Sequence, residues 1–384
     1  MILVFNALNV RPAVHDGAAT FGVNLLHRLP AALPDVRIVA LVQPGESRIP
    51  PADNLELREV AGAGNVRRRV ALETVWLSRE LRRLKASVLL APYESLPLAS
   101  PCPVVCVAQN LVYHCDGFFA SYLGASAAER ALSRIQGVYY RRRMRSAYRR
   151  AAAVVAVSRE TANVLARSAG LDKGKTTVVH EGSDSILLPP SGTGAQRVPR
   201  LLSIGTFAPY KKHERAIDVF AALAASHPEL TLELVGSDWR GYRSVVERHA
   251  KQSGVAERIV LSRDLPPNGL ASRYETSLLL LHLSSCESFG LPMLEAMRYG
   301  LPVAAADRSS LPEVAGGAAL LVDPDDIATT TTAVAGVIAD DMALATLAER
   351  GRERAGELSW SRSATQIAEV VRRSVGAGRG RSSH

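Results

Sequence analysis

The strongest constraint on the fold is an alternation that runs through most of the chain. Short apolar runs rich in β-branched residues are separated by longer amphipathic stretches. Such runs suit strands buried on both faces, and the stretches between them suit helices that cover those faces. Repetition of this order builds parallel sheets wrapped on both sides. Strands are expected at Ile2–Phe5, Val36–Val42, Val88–Ala91, Val104–Ala108 and Val154–Val157. A second set is expected at Arg200–Ile204, Leu230–Val235, Ile259–Leu261, Leu278–Leu283 and Val303–Ala305. Between the sets lies Leu188-Pro189-Pro190-Ser191-Gly192-Thr193-Gly194-Ala195-Gln196, a linker by its Pro, Gly and Ser content. A chain of 384 residues exceeds what one core usually holds, so two doubly wound α/β domains are expected.

The segment Cys286-Glu287-Ser288-Phe289-Gly290-Leu291-Pro292-Met293-Leu294-Glu295-Ala296-Met297 carries the chemistry. Pro292 suits the first turn of a helix and Gly300 the position just past its end, so Glu295 falls inside the helix and Glu287 on the loop before it. A helix N-terminus presents unpaired amides and partial positive charge, which lets the backbone around Gly290 and Leu291 receive a diphosphate. A carboxylate accepts hydrogen bonds with two oxygens and can take both hydroxyls of a ribose.

This segment resembles the Glu-x7-Glu motif of the retaining glycosyltransferases of family 4, which have the GT-B fold. The resemblance extends through Ser203-Ile204-Gly205-Thr206-Phe207-Ala208-Pro209-Tyr210-Lys211-Lys212, Leu232-Glu233-Leu234-Val235-Gly236, Gly300-Leu301-Pro302-Val303 and Ser310-Leu311-Pro312-Glu313-Val314, in the family's order. Bacterial mannosyl- and rhamnosyl-type polysaccharide enzymes are the members it is most similar to. The resemblance implies two Rossmann-like domains facing an interdomain cleft. It places an acceptor-side domain at residues 1–187, a linker at 188–198 and a nucleotide-sugar domain at 199–358. A helix crossing back onto the first domain is expected at 359–375, beginning at Ser359-Trp360. The Gly-, Arg- and Ser-rich tail 376–384 is expected to be disordered.

By this resemblance Glu295 holds the donor ribose, Glu287 faces the transferred sugar, and Lys211 neutralises the diphosphate. Glu287 needs a basic neighbour if it is to stay ionised beside phosphate. Lys212, Gly205, Thr206, Ser288, Phe289, Gly290 and Leu291 complete the expected donor surface, with Phe289 also suited to core packing. Thr206 stands where many members carry arginine. In the first domain Gly17, in Asp16-Gly17-Ala18-Ala19-Thr20-Phe21, resembles part of the family's glycine loop. Gln109 and Asn110 follow the strand after which many members place a histidine; glutamine does not titrate near neutrality, so no histidine base is expected there. The resemblance implies a front-face route in which the leaving diphosphate helps deprotonate the acceptor. Ser158 and Thr161 read as a helix cap, His180-Glu181-Gly182-Ser183-Asp184 as a hinge turn, Glu313 as a helix-start charge, and His282 as a packed histidine.

The net charge of +9 points to an anionic partner. A nucleotide-sugar donor with a glycan or lipid-linked acceptor fits, as does contact with an anionic membrane through the arginine-rich stretch Arg134–Arg150, where Ile135, Val138 and Met144 are expected to form the apolar face. Arg67-Arg68-Arg69 supplies a second basic cluster. No apolar run approaches the ~20 residues that span a bilayer, so a cytoplasmic, soluble or peripheral protein is expected. The four cysteines lack metal-ligand spacing and are expected as reduced thiols. Asp323-Pro324-Asp325-Asp326 reads as a surface turn, and neither a metal nor another cofactor is expected. The competing readings are a nucleotide-sugar epimerase or sugar-phosphate synthase of the same fold. A basic nucleic-acid-binding protein would leave the second-domain motifs without a purpose.

Overall fold

The computed structural model describes the chain apart from residues 13, 95, 115–126, 193–195 and 380–384. It divides into two units. One takes Met1–His114, the chain as far as Leu187, and Ser359 onward; the other takes Leu188–Leu358.

The first unit is built on seven parallel strands: β1 (Ile2–Asn6), β2 (Arg37–Val42), β3 (Leu55–Glu59), β4 (Val88–Ala91), β5 (Val104–Ala108), β6 (Ala153–Ala156) and β7 (Thr176–Val178). Their order is β3-β2-β1-β4-β5-β6-β7. The second unit has six: β8 (Arg200–Ile204), β9 (Thr231–Val235), β10 (Ile259–Ser262), β11 (Leu279–His282), β12 (Val303–Ala306) and β13 (Leu320–Val322), in the order β10-β9-β8-β11-β12-β13. All paired strands run parallel. This is the doubly wound α/β class expected from the alternation.

The cores explain the pattern. Every residue of β4, β5, β11 and β12 is buried, because helices cover both faces of each sheet. Val4, Leu41, Leu89, Cys106 and Val154 share one core; Leu201, Leu232, Leu281, Phe207 and Phe220 share the other. Each such side chain contributes about 1.5–3 kcal/mol when fully buried. All ten expected strands are present to within a residue or two at their ends. The three additional strands, β3, β7 and β13, lie at sheet edges. In both sheets the order reverses beside the first strand, between β1 and β4 and between β8 and β11. Loops leaving the C-terminal ends there line the natural ligand crevice of an open parallel sheet.

The helix Trp360–Arg379 belongs to the first unit and packs on the helix Gly17–Ala32. Trp360 is fully buried, its ring meets Phe21 edge-on at 5.6 Å, and its amide donates to Asp184 Oδ1 at 2.6 Å. The helix runs past Gly376, where a disordered tail was expected to begin, since adding residues to a formed helix costs little. Residues 380–384 of that tail lie outside the described residues.

Two further expectations need correction. Met144 is buried, whereas Ile135, Val138 and Tyr139 are exposed, so the helix Ala127–Arg150 does not gather its apolar residues on one face. Cys102 and Cys106 are free thiols, but Cys286 is disulfide-bonded, a pairing that cysteine spacing alone does not reveal. Cys115 lies outside the described residues. No single helix among the described residues is long and apolar enough to cross a membrane.

Candidate functional site

The second unit gathers its chemistry at the β8/β11 switch point. β8 ends at Ile204, and the chain passes through Gly205 and Thr206 into a single helical turn, Pro209–Lys211. His213 holds this crossing. Its Nε2 donates to the Gly205 carbonyl at 3.0 Å, and its Nδ1 lies 3.3 Å from Ser203 Oγ. Burial pushes the imidazole down to about 4, so it is neutral, as one donating and one accepting nitrogen require. Gly236, at the end of β9, must lack a side chain: a Cβ there would stand 2.0 Å from the Gly205 oxygen.

From the other side of the switch point, β11 leads through His282 to Glu287. Lys211 Nζ donates to Glu287 Oε1 at 2.6 Å, and His282 Nε2 lies 3.1 Å from the same oxygen. Burial pulls the Glu287 carboxyl upward, but the Lys211 ammonium and the His282 contact overcome that pull and hold it at about 2. Burial likewise disfavours the charged form of Lys211, and Glu287 reverses the effect, raising its ammonium above the ordinary range. The pair is therefore ionised throughout the physiological range. His282 is a packed residue that also touches this carboxylate.

Ser309 and Ser310, just before the helix Leu311–Ala315, clamp the loop. Ser309 Oγ accepts from the Glu287 amide at 3.1 Å and donates to the Glu287 carbonyl at 2.7 Å, while Ser310 Oγ reaches the Phe289 carbonyl at 2.9 Å. Phe289 is buried in the core and Ser288 is partly exposed. Gly290 adopts φ 111°, a left-handed conformation that suits glycine, and opens the helix Leu291–Arg298 without a side-chain cap.

Glu295 lies one turn into that helix. Its Oε2 accepts from Tyr274 OH at 2.8 Å, and Tyr274 stacks on Tyr299 at 5.5 Å. Burial raises the Glu295 carboxyl to about 7, against the opposing pull of the Tyr274 hydrogen bond and Arg298. Lys212 turns away from this group: in a left-handed conformation, it reaches Asp325 Oδ1 at 3.5 Å. Asp325 also pairs with Arg308 at 2.8 Å, and Asp326 caps the helix Ile327–Ile338, so this turn is an ion-pair and capping centre. Thr206 Oγ1 lies 3.3 Å from Ser237 Oγ.

The first-unit residues follow β1, β5 and β6. Gly17 opens the helix capped by Asp16, and a Cβ added there meets nothing within 4 Å. Gln109 and Asn110 directly follow β5. Asn110 Oδ1 accepts from the Val112 amide at 3.0 Å, a local turn contact. Ser158 Oγ caps the helix Arg159–Ala169 by accepting from Thr161 N.

Sequence reasoning gave no role to His213, Tyr274 or Ser309, and placed Ser310 only within a motif segment. Only the serines had a signal, their place directly before Leu311-Pro312-Glu313.

The family model described as Glycosyl transferases group 1 matches residues 192–354, and the one described as Glycosyltransferase Family 4 matches residues 15–185. The chain belongs to the GT-B glycosyltransferases of the family 4 type. This family 4 protein is 30% identical over 166 residues to O-antigen chain mannosyltransferase B of Escherichia coli, a match covering 43% of each chain. The match thus spans less than half of that curated relative's length. Among solved structures, sucrose-phosphate synthase from Thermosynechococcus elongatus superposes with a TM-score of 0.75 at 18% identity, covering 98% of this chain and 99% of the other. Anabaena Alr3699/HepE in complex with UDP-glucose superposes with a TM-score of 0.67 at 18% identity, covering 96% and 99%. These likenesses show the GT-B fold of the family 4 protein.

Proposed function

We propose that the protein is a retaining glycosyltransferase that moves a hexose or deoxyhexose from a GDP- or UDP-linked donor to a glycan or lipid-linked saccharide. The observation that carries this reading is the ionised Lys211–Glu287 pair, 2.6 Å apart beside a glycine-opened helix start. The E. coli relative's name and the UDP-glucose in the Anabaena structure favour a hexose donor.

In this proposal the amides at Gly290 and Leu291 receive the diphosphate. Glu295 accepts the ribose hydroxyls, and Thr206 and Ser288 line the donor. Lys211 moves its charge from Glu287 toward the phosphate as the glycosidic bond breaks, stabilising charge on the leaving oxygen. Glu287 then takes hydroxyls of the transferred sugar. The acceptor oxygen bonds to the anomeric carbon on the face the phosphate leaves, and its proton passes to the departing phosphate oxygen. Gly17 approaches the donor, and Gln109 and Asn110 serve the sugar and acceptor side. No metal ion enters this route.

The protein is proposed to act in the cytoplasm, at the inner face of the membrane. Exposed Ile135, Val138 and Tyr139 beside exposed Arg141, Arg142 and Arg145 support that placement.

The test is nucleotide diphosphate release from UDP-, GDP-, ADP- and dTDP-sugars with saccharide acceptors, followed by NMR of the product anomer. Release with retained configuration supports the reading. An inverted product, or an epimerised free sugar formed without acceptor, overturns it.

A further inference from the structure

Glu94 occupies in the first unit the topological place that Glu287 occupies in the second. β4 lies beside β1 as β11 lies beside β8, and each carboxylate stands on the loop leaving that strand. The helix opening at Gly17 comes from the β1 side of the same switch point.

The surroundings of Glu94 differ from those of most sheltered carboxylates in this chain. Glu46, Glu80, Glu233 and Glu287 each meet an arginine or lysine. Glu94 has no ion pair among the described residues. Tyr148, fully buried on the helix Ala127–Arg150, donates its hydroxyl to Glu94 Oε1 at 2.5 Å, and the amide of Asn110 faces the carboxyl. The other titratable groups facing it are Tyr93 and Cys106. The Tyr93 hydroxyl is buried without a hydrogen-bond partner among the described residues. Glu94 itself stays partly exposed.

A sheltered carboxylate without a counter-ion costs folding free energy that packing does not return. Burial accordingly pushes Glu94 up to about 7. Bridging Tyr148 to the strand ends does not need a charge, since the oxygen of a glutamine would accept the same hydrogen bond. The charge is left to serve a ligand, and the Tyr274–Glu295 pair in the second unit is built in the same way, with a tyrosine hydroxyl on one oxygen.

We propose that Glu94 is a saccharide-hydroxyl site of the first unit, accepting from one or two neighbouring hydroxyls of an acceptor sugar while Tyr148 fixes the rotation of its carboxyl. This rests on the glycosyltransferase reading and adds a specificity-determining residue to it. Gln109 and Asn110, at the adjacent strand end, lie where they can contact the same sugar.

The test uses the full chain and four probes, the methyl α-glycosides of mannose, rhamnose, glucose and galactose, titrated by ligand-observed NMR. At least one is expected to bind the wild type. Glu94→Gln should weaken it at least tenfold and Tyr148→Phe several-fold, while the affinities of Glu94→Gln for GDP-mannose and UDP-glucose stay unchanged. Should Glu94→Gln fail to fold, Tyr148→Phe carries the decision. The proposal is overturned if no glycoside binds the wild type, if the variants bind as the wild type does, or if they lose donor binding instead. Loss of glycoside binding in Glu94→Gln, with no donor bound by the wild type, would leave the Glu94 site standing and sink the transferase reading.

Discussion

Lys211 and Glu287 meet at 2.6 Å across the two loops of a strand-order reversal, each keeping the other charged against its own burial. Removing one partner strands a sheltered charge, which typically costs about 3–5 kcal/mol. Lys211→Met and Glu287→Gln should therefore each destabilise more than the double variant, as read from urea midpoints. The folded carboxyl is depressed, so its stabilisation is complete above the ordinary carboxylate range and is lost as pH falls from there toward 2. In Lys211→Met the folded carboxyl loses its main counter-ion and rises toward or past the ordinary value, so that acid loss should shrink or vanish. Equal midpoints for the single and double variants would remove the coupling.

The same lysine has a kinetic signature. Lys211→Ala should lower kcat by roughly 10²–10³-fold, the usual loss when one preorganised stabiliser of transition-state charge is removed. Turnover close to wild type would take Lys211 out of the reaction.

Glu295 is held by Tyr274 and raised by burial to about 7. Donor binding should strengthen as pH rises through that value, because the ionised carboxyl is the form proposed to accept both ribose hydroxyls. Tyr274→Phe removes a hydrogen bond that lowers this pKa, so the transition should move to higher pH and the donor KM at neutrality should rise, with kcat at saturation little changed. A pH profile of donor affinity in both proteins decides it, and coincident profiles would count against the role given to Tyr274.

Gly17 needs neither left-handed backbone nor packing space, since a Cβ there meets nothing within 4 Å. Gly17→Ala should leave Tm unchanged yet lower kcat/KM about tenfold, because in the proposed role one methyl group would intrude on the donor and cost about 1.4 kcal/mol of binding. Full activity in the variant would make this glycine incidental.

Gly182 is the opposite case. A Cβ there would stand 2.1 Å from the Trp360 amide nitrogen, which backbone cannot yield. Gly182→Ala should cost about 1–3 kcal/mol or more through forced displacement. Calorimetry checks this, and an unshifted Tm would mean that the contact is looser than the structure has it.

Legibility from sequence followed burial. β4, β5 and β12 announce themselves because both faces are covered and every residue is apolar. β3 reads Leu55-Glu56-Leu57-Arg58-Glu59, with polar residues that an edge position tolerates, so it escapes a search for apolar runs. β7 and β13 are three residues each, too short for periodicity to speak. Around the β8/β11 switch point, Glu287, Glu295 and Lys211 stand out in the sequence because their spacing along the chain carries a pattern. Tyr274 and His213 do not, since their contacts, with Glu295 and Tyr299 and with Ser203 and the Gly205 loop, form only by tertiary packing. Lys212 shows the converse: beside Lys211 it resembled a second phosphate ligand, but a left-handed backbone sends its ammonium to Asp325.

Trp360 lies fully buried in the closing segment, Ser359 onward, of a unit whose earlier residues end at Leu187. During translation the ribosome therefore releases the whole second unit before the first receives its last piece, and the Phe21 side of the helix Gly17–Ala32 stays uncovered until then. A premature stop codon ahead of Trp360 would injure the half of the protein made earliest and spare the half made last.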